Sequence, residues 1–145
     1  MTESSTPKNI ILYADDDTDD LELVQDAFYR FTKNVEVITA RNGSQALGCL
    51  SELREEDSFP CLIILDINMP VLNGKEVLIK LREIEGFDSI PVVLFTTSSL
   101  PVDEQFAKKY NAGFVTKPLD VSQMKVITES FIDHCSDEIQ KKIRT

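Results

Sequence analysis

Short apolar runs alternate along this chain with stretches in which apolar residues recur every three or four positions. Ile10-Ile11-Leu12-Tyr13-Ala14, Val35-Glu36-Val37-Ile38, Cys61-Leu62-Ile63-Ile64-Leu65, Val92-Val93-Leu94-Phe95 and Gly113-Phe114-Val115-Thr116 have the length and make-up of strands. The third is almost wholly apolar, as a strand covered on both faces should be. Between the strands, Leu21, Val24, Phe28 and Phe31 fall at the helical period. So do Ala46, Leu47, Leu50 and Leu53 after Asn42-Gly43-Ser44, and Val77, Leu78, Leu81 and Ile84 after Asn73-Gly74. Pro101 suits the first turn of a fourth helix with a thin stripe of Val102, Phe106 and Tyr110. Val121, Met124, Ile127 and Phe131 mark a fifth helix, and the polar residues 136–145 either prolong it or fray. Five strand–helix units predict an α/β fold: a doubly wound, five-stranded parallel sheet with helices on both faces, because parallel neighbours need right-handed crossovers.

In such sheets, ligands bind beyond the carboxyl ends of the strands. The first strand runs into Asp15-Asp16-Asp17, the third into Asp66, the fourth into Thr96-Thr97-Ser98 and the fifth into Lys117-Pro118. Two carboxylates about 4 Å apart repel by roughly 4 kcal/mol at an effective dielectric near 20. If Asp15, Asp16 and Asp66 share one cleft, they must hold protons or bind a cation, and oxygen-only ligands favour a hard ion such as Mg²⁺. Asp19 and Asp20 suit the positive end of the first helix, and Asp17 reads as surface. A carboxylate can also attack phosphorus, and the transferred group then needs cations and hydrogen-bond donors around its oxygens. Mg²⁺, Lys117 and the Thr96 hydroxyl would supply them to a phosphoryl group on Asp66.

The 145 residues are enough for one domain and too few for two ordinary ones. Fifteen lysines and arginines against 25 acids give a net charge of −10, which argues against nucleic-acid or anionic-membrane partners. No apolar run approaches the roughly 18 residues a membrane helix needs. Residues 1–7 lack the basic start and apolar stretch of a signal peptide and read as a flexible leader to a domain spanning residues 8–134, with 135–145 as a helical extension or tail. Cys49, Cys61 and Cys135 form no paired motif, so free, buried thiols in a reducing cytoplasm are expected. His134, the single histidine, lies far from the acids and reads as incidental.

Asp15-Asp16, Asp66 within Leu-Asp-Ile-Asn-Met-Pro, Thr96 and Lys117-Pro118, in this order, resemble the receiver domain of two-component response regulators over residues 8–134. The resemblance implies a flavodoxin-like sheet of strand order 2-1-3-4-5. It makes Asp66 the phosphoacceptor, Asp16 a direct Mg²⁺ ligand, Asp15 a ligand largely through water, and the Asn68 carbonyl the last protein contact of the metal. Thr96 and Lys117 would touch the phosphoryl oxygens, a cis peptide often precedes the equivalent of Pro118, and Phe114 occupies the switch-aromatic position. Thr97 stands where a very small residue is usual; with the polar Asn68 and Ser98 it is a candidate for setting the lifetime of the phosphate. Thr96-Thr97-Ser98 and Asp-Ile-Asn-Met-Pro look most like single-domain receivers paired with phytochrome-type sensor kinases.

On this likeness the partners are a sensor histidine kinase or phosphotransfer protein, a downstream protein target met by the fourth helix, fifth strand and fifth helix, and a second copy through the same face. The chain would catalyse only its own phosphorylation and dephosphorylation. A haloacid-dehalogenase-type phosphatase is a weaker reading: Asp19 stands where that motif wants Thr or Val, no acidic pair follows Lys117, and Asp66 is left without a role. A pseudo-receiver is disfavoured because the reactive set is complete, and a flavin protein because no Thr- or Gly-rich loop follows the first strand.

Overall fold

Strands β1 (Asn9–Ala14), β2 (Val35–Ala40), β3 (Leu62–Leu65), β4 (Val92–Thr96) and β5 (Gly113–Thr116) pair in parallel in the order β2-β1-β3-β4-β5. They belong to a computed structural model that describes residues 9–144, so the leader expected over residues 1–7 lies outside the described residues. Helices α1 (Thr18–Phe31), α2 (Gly43–Glu55), α3 (Gly74–Glu83), α4 (Pro101–Lys109), α5 (Met124–Asp133) and α6 (Asp137–Arg144) complete it.

Side chains alternate across each strand, so the sheet has two apolar faces. Leu12, Ala14, Ile63, Leu65 and Leu94 meet Ala46, Leu50, Val77, Leu78 and Leu81 of α2 and α3 on one face. Ile11, Tyr13, Leu62, Ile64, Val93 and Phe95 meet Val24, Phe28, Phe131 and Ile143 of α1, α5 and α6 on the other. Phe131 stands edge-on to Phe95 with centroids 5.0 Å apart, and stacks on Phe28 at 5.9 Å, joining β4, α5 and α1. All of β3 is buried, as its sequence required.

Local chemistry starts the helices where the sequence signals lie. Asn73 and Glu76 form a reciprocal capping box on α3, Asn42 caps α2, and Pro101 opens α4. Asp17 is exposed, as expected of a surface residue, and is also the N-cap of α1, accepting the amides of Asp19 and Asp20.

Two stripes differ from expectation. On α4 the buried residues are Asp103 and Ala107, while Phe106 and Tyr110 are half-buried and Val102 is 60% exposed. The helix is turned so that Asp103 meets Lys75 of α3. Val121 is exposed in a single 3-10 turn ahead of α5, whose buried residues are Met124, Thr128, Phe131 and Ile132.

The C-terminal residues form the separate helix α6, beyond a break at His134–Ser136. Ile143 buries itself in the α1/α5 core, Thr32 Oγ1 donates to the Ile143 carbonyl at 2.8 Å, and Asn34 Nδ2 donates to that of Lys142 at 2.9 Å. The three thiols are free, Cys135 buried and the other two half-buried. His134 stays far from the acids but is not idle. Its ring lies against Gly113, where an added β-carbon would come within 2.3 Å of Nε2.

Candidate functional site

Sheet register carries the chemistry. Ala14 of β1 pairs with Leu65 of β3, and Leu65 pairs with Leu94 of β4, so Asp15, Asp66 and Thr96 emerge at neighbouring strand ends. The Lys117 amide donates to the Thr96 carbonyl at 2.7 Å, extending the β4–β5 ladder and delivering the lysine to the same edge through a trans Lys117–Pro118 peptide. The cis peptide that the family resemblance suggested is therefore absent here. α3 closes the near side: the Gly74 amide bonds the Ile67 carbonyl, and an added β-carbon at Gly74 would sit 2.2 Å from the Asp66 carbonyl oxygen. Only glycine allows the helix to start so close to Asp66.

Carboxylate oxygens of Asp15, Asp16 and Asp66 lie within 4.8 Å of one another. Asp15 and Asp66 are buried and Asp16 is exposed. Lys117 Nζ bridges Asp15 Oδ2 at 2.8 Å, Asp20 Oδ2 at 2.8 Å and Asp66 Oδ2 at 3.3 Å. Asp15 is saturated further, since Oδ1 accepts the Asp17 amide at 3.0 Å and Oδ2 the Tyr13 hydroxyl at 2.5 Å. Asp66 has fewer partners: among the described residues, besides Lys117, it accepts a long 3.4 Å contact from the Asn68 backbone amide. Of the two buried carboxylates of the cluster, Asp66 is the more open to new chemistry.

Electrostatics follow. Burial, and then the neighbouring Asp15 charge, push the Asp66 carboxyl up to about 6, against a partial offset from Lys117. Burial alone would lower the Lys117 ammonium, yet its hydrogen bonds to Asp15 and Asp20 and the charges of Asp15 and Asp66 hold it above its ordinary range. Burial and the adjoining Asp15 raise the Tyr13 phenol, which stays a neutral donor. One ammonium thus meets three carboxylates, with a fourth, Asp16, close to two of them. An oxygen-only donor set with excess negative charge fits a hard divalent cation.

Asp15, Asp16, Asp66 and Lys117 therefore meet at one place, with buried Thr96 at the adjoining strand end. Asn68 and Thr97 are exposed in the flanking loops, and the Ser98 hydroxyl is directed to Asp103. Phe114 is half-buried on the α2/α3 side of β5. Two contributors escaped the sequence reading. Tyr13 could have been noticed as the polar-tipped residue of an otherwise apolar strand, sharing a face with Asp15. Asp20, expected at the positive end of α1, stands there in the first turn and also reaches Lys117, a contact of which its linear position gave no sign.

The family model for the response regulator receiver domain matches residues 11–129. This chain is a response regulator receiver domain. The receiver is 36% identical over 100 residues to response regulator Rcp1 of Synechocystis, covering 68% of each chain. Its fold superposes on the phosphorylated cyanobacterial phytochrome response regulator RcpA with a TM-score of 0.79 and 29% identity, covering 90% of this chain and 98% of that one. On the Mn²⁺-bound form of Rcp1 the TM-score is 0.72 at 30% identity, covering 86% and 91%. Other curated relatives are longer: the receiver spans 51% of one and 6% of another. Among the described residues, no helix is long and apolar enough to cross a membrane.

Proposed function

We propose that this receiver takes a phosphoryl group from a phosphohistidine onto Asp66, and that the donor is a phytochrome-type sensor kinase or a phosphotransfer protein. The observation that carries the reading is the Lys117 ammonium held between buried Asp15 and the under-partnered Asp66. An Asp66 oxygen attacks phosphorus, the P–N bond to the donor imidazole breaks, and the imidazole leaves with the bonding pair. The carboxyl must be ionised to attack; with its titration near 6 it is mostly so at neutral pH. Lys117 pairs with one oxygen of the incoming group, and the Thr96 hydroxyl donates to another.

Asp16, Asp66 and the Asn68 carbonyl would hold Mg²⁺, with Asp15 acting through a water; when bound, the ion supplies positive charge to the transferring oxygens. Thr96 and Phe114 form the switch: as Thr96 turns to the phosphoryl group, the half-buried Phe114 moves into the space released. Asn68, Thr97 and Ser98, in the loops around Asp66, govern how long the phosphate survives. Output is by protein contact in the cytoplasm, through the α4–β5–α5 face, where exposed Leu100, Val102 and Val126 would meet a downstream protein or a second copy. The receiver turns over no other substrate.

Incubation with Mg²⁺ and acetyl phosphate should add one phosphate to the intact mass, and Asp66→Asn should abolish the gain. Labelling that persists in Asp66→Asn, or steady turnover of small phosphate esters, would return the phosphatase reading. Asp15, committed to Tyr13, Lys117 and the Asp17 amide, is poorly placed as the nucleophile that reading needs.

A further inference from the structure

The loop that follows Thr96 is tied to two helices by polar contacts. Thr96 Oγ1 accepts the Ser98 amide at 3.2 Å. Ser98 Oγ accepts the Leu100 amide at 3.2 Å and donates to Asp103 Oδ2 at 2.5 Å. Asp103, in the first turn of α4, is only 7% exposed, and its other oxygen meets Lys75 Nζ at 2.5 Å. Lys75 follows Gly74, the residue packed against the Asp66 carbonyl, and its ammonium lies over the Phe106 ring of α4, 5.1 Å from the centroid. Polar contacts therefore run without a break from the helix seated on Asp66 to the Thr96 hydroxyl.

Burying a carboxylate is costly unless it is fully partnered, and removing one partner leaves that cost uncompensated. Asp103 is fully partnered, and the stripe spacing of α4 would have buried Val102 in its place. The packing of α4 thus joins this polar contact to an apolar seam of Phe106, Ala107 and Tyr110.

We propose that Lys75, Asp103 and Ser98 form a latch that holds the Thr96 hydroxyl and the start of α4 in the resting arrangement. Asp103 and Lys75 are then positioning residues that act on Thr96 through Ser98. The inference rests on the reading of Asp66 as the phosphoacceptor. When Thr96 turns toward a phosphoryl group on Asp66, its bond to the Ser98 amide pulls the loop along. Asp103 cannot follow, because Lys75 fastens α4 to α3. Engagement of Thr96 breaks the Ser98–Asp103 bond, and cutting the latch beforehand removes that cost from the phosphorylated state.

The test uses beryllium fluoride with Mg²⁺ as a phosphoryl mimic, its affinity measured by calorimetry on the whole chain. Lys75→Met and Asp103→Asn should each bind it about fivefold or more tightly than the parent. The double variant should gain no more than the better single one, because both cut the same contact. The two substitutions change the local charge in opposite directions, so a shared tightening excludes a general electrostatic effect. If Asp103→Asn fails to fold, Lys75→Met reads the same contact from a side chain that is 27% exposed. Unchanged or weaker binding in folded variants, with the parent binding normally, overturns the latch alone. A parent chain that binds no beryllium fluoride and gains no phosphate overturns the Asp66 reading, and the latch falls with it.

Discussion

Asp66→Asn should stabilise the metal-free protein at neutral and alkaline pH. The Asp66 carboxyl is pushed from an ordinary 3.8 to about 6, first by burial and then by Asp15. A rise of about two pH units at 1.36 kcal/mol each amounts to about 3 kcal/mol of disfavoured ionisation. The sign follows from proton binding. Between pH 4 and 6 the folded chain holds a proton on Asp66 that the unfolded chain has lost, so stability falls as pH rises through this window and stays lowered above it. Asparagine carries no charge and escapes that loss. Thermal unfolding in EDTA at pH 7.5 should show the variant melting roughly 6–12 °C higher, given the usual 2–4 °C per kcal/mol for a domain approaching 150 residues. Near pH 4 the two curves should converge. Millimolar Mg²⁺ should also narrow the gap, because the parent gains more from binding an ion that uses Asp66. Equal melting temperatures at pH 7.5 without metal, or a gap that persists at pH 4, would refute the claim that repulsion and burial at Asp66 store this energy.

Other substitutions probe the scaffold and the rim of the site. Arg82 donates to the carbonyls of Tyr110 and Ile90 at 2.8 Å each and of Asn111 at 3.0 Å, pinning α3 to both neighbouring loops. Arg82→Met should cost about 2 kcal/mol in urea unfolding, and Arg82→Lys should recover little, because an ammonium cannot reproduce the planar fork. Ile143→Ala should cost about 2–4 kcal/mol by the same assay, since the side chain is 1% exposed in the α1/α5 core; a loss under 0.5 kcal/mol would mean that α6 is not docked in solution. Asn68→Ala should slow hydrolysis of the Asp66 phosphate several-fold in a radiolabel-release assay, because it removes an exposed polar side chain, two residues from the acceptor, that can orient the attacking water. An unchanged rate would remove Asn68 from the lifetime set.

The linear pattern of this chain determined its strands, the starts of α2, α3 and α4, and the class of its chemistry. β3 had to be buried because a run such as Leu62–Leu65 offers no polar side for solvent, and Asn42, Asn73 and Pro101 mark helix starts through local bonding alone. Asp15, Asp66, Thr96 and Lys117 could be singled out because each follows an apolar strand, and parallel strands share a carboxyl edge. Tertiary packing decided the rest. Whether Asp20 only faces the start of its own helix or also reaches Lys117 depends on where the loop after β5 lies relative to the first turn of α1. Whether α4 buries Val102 or Asp103 depends on a lysine 28 residues upstream, and whether residues 136–145 fray depends on a pocket into which Ile143 fits. Apolar periodicity records an average preference for burial along one segment. The partner of a charge is set by distances between segments, which exist only once the chain has folded.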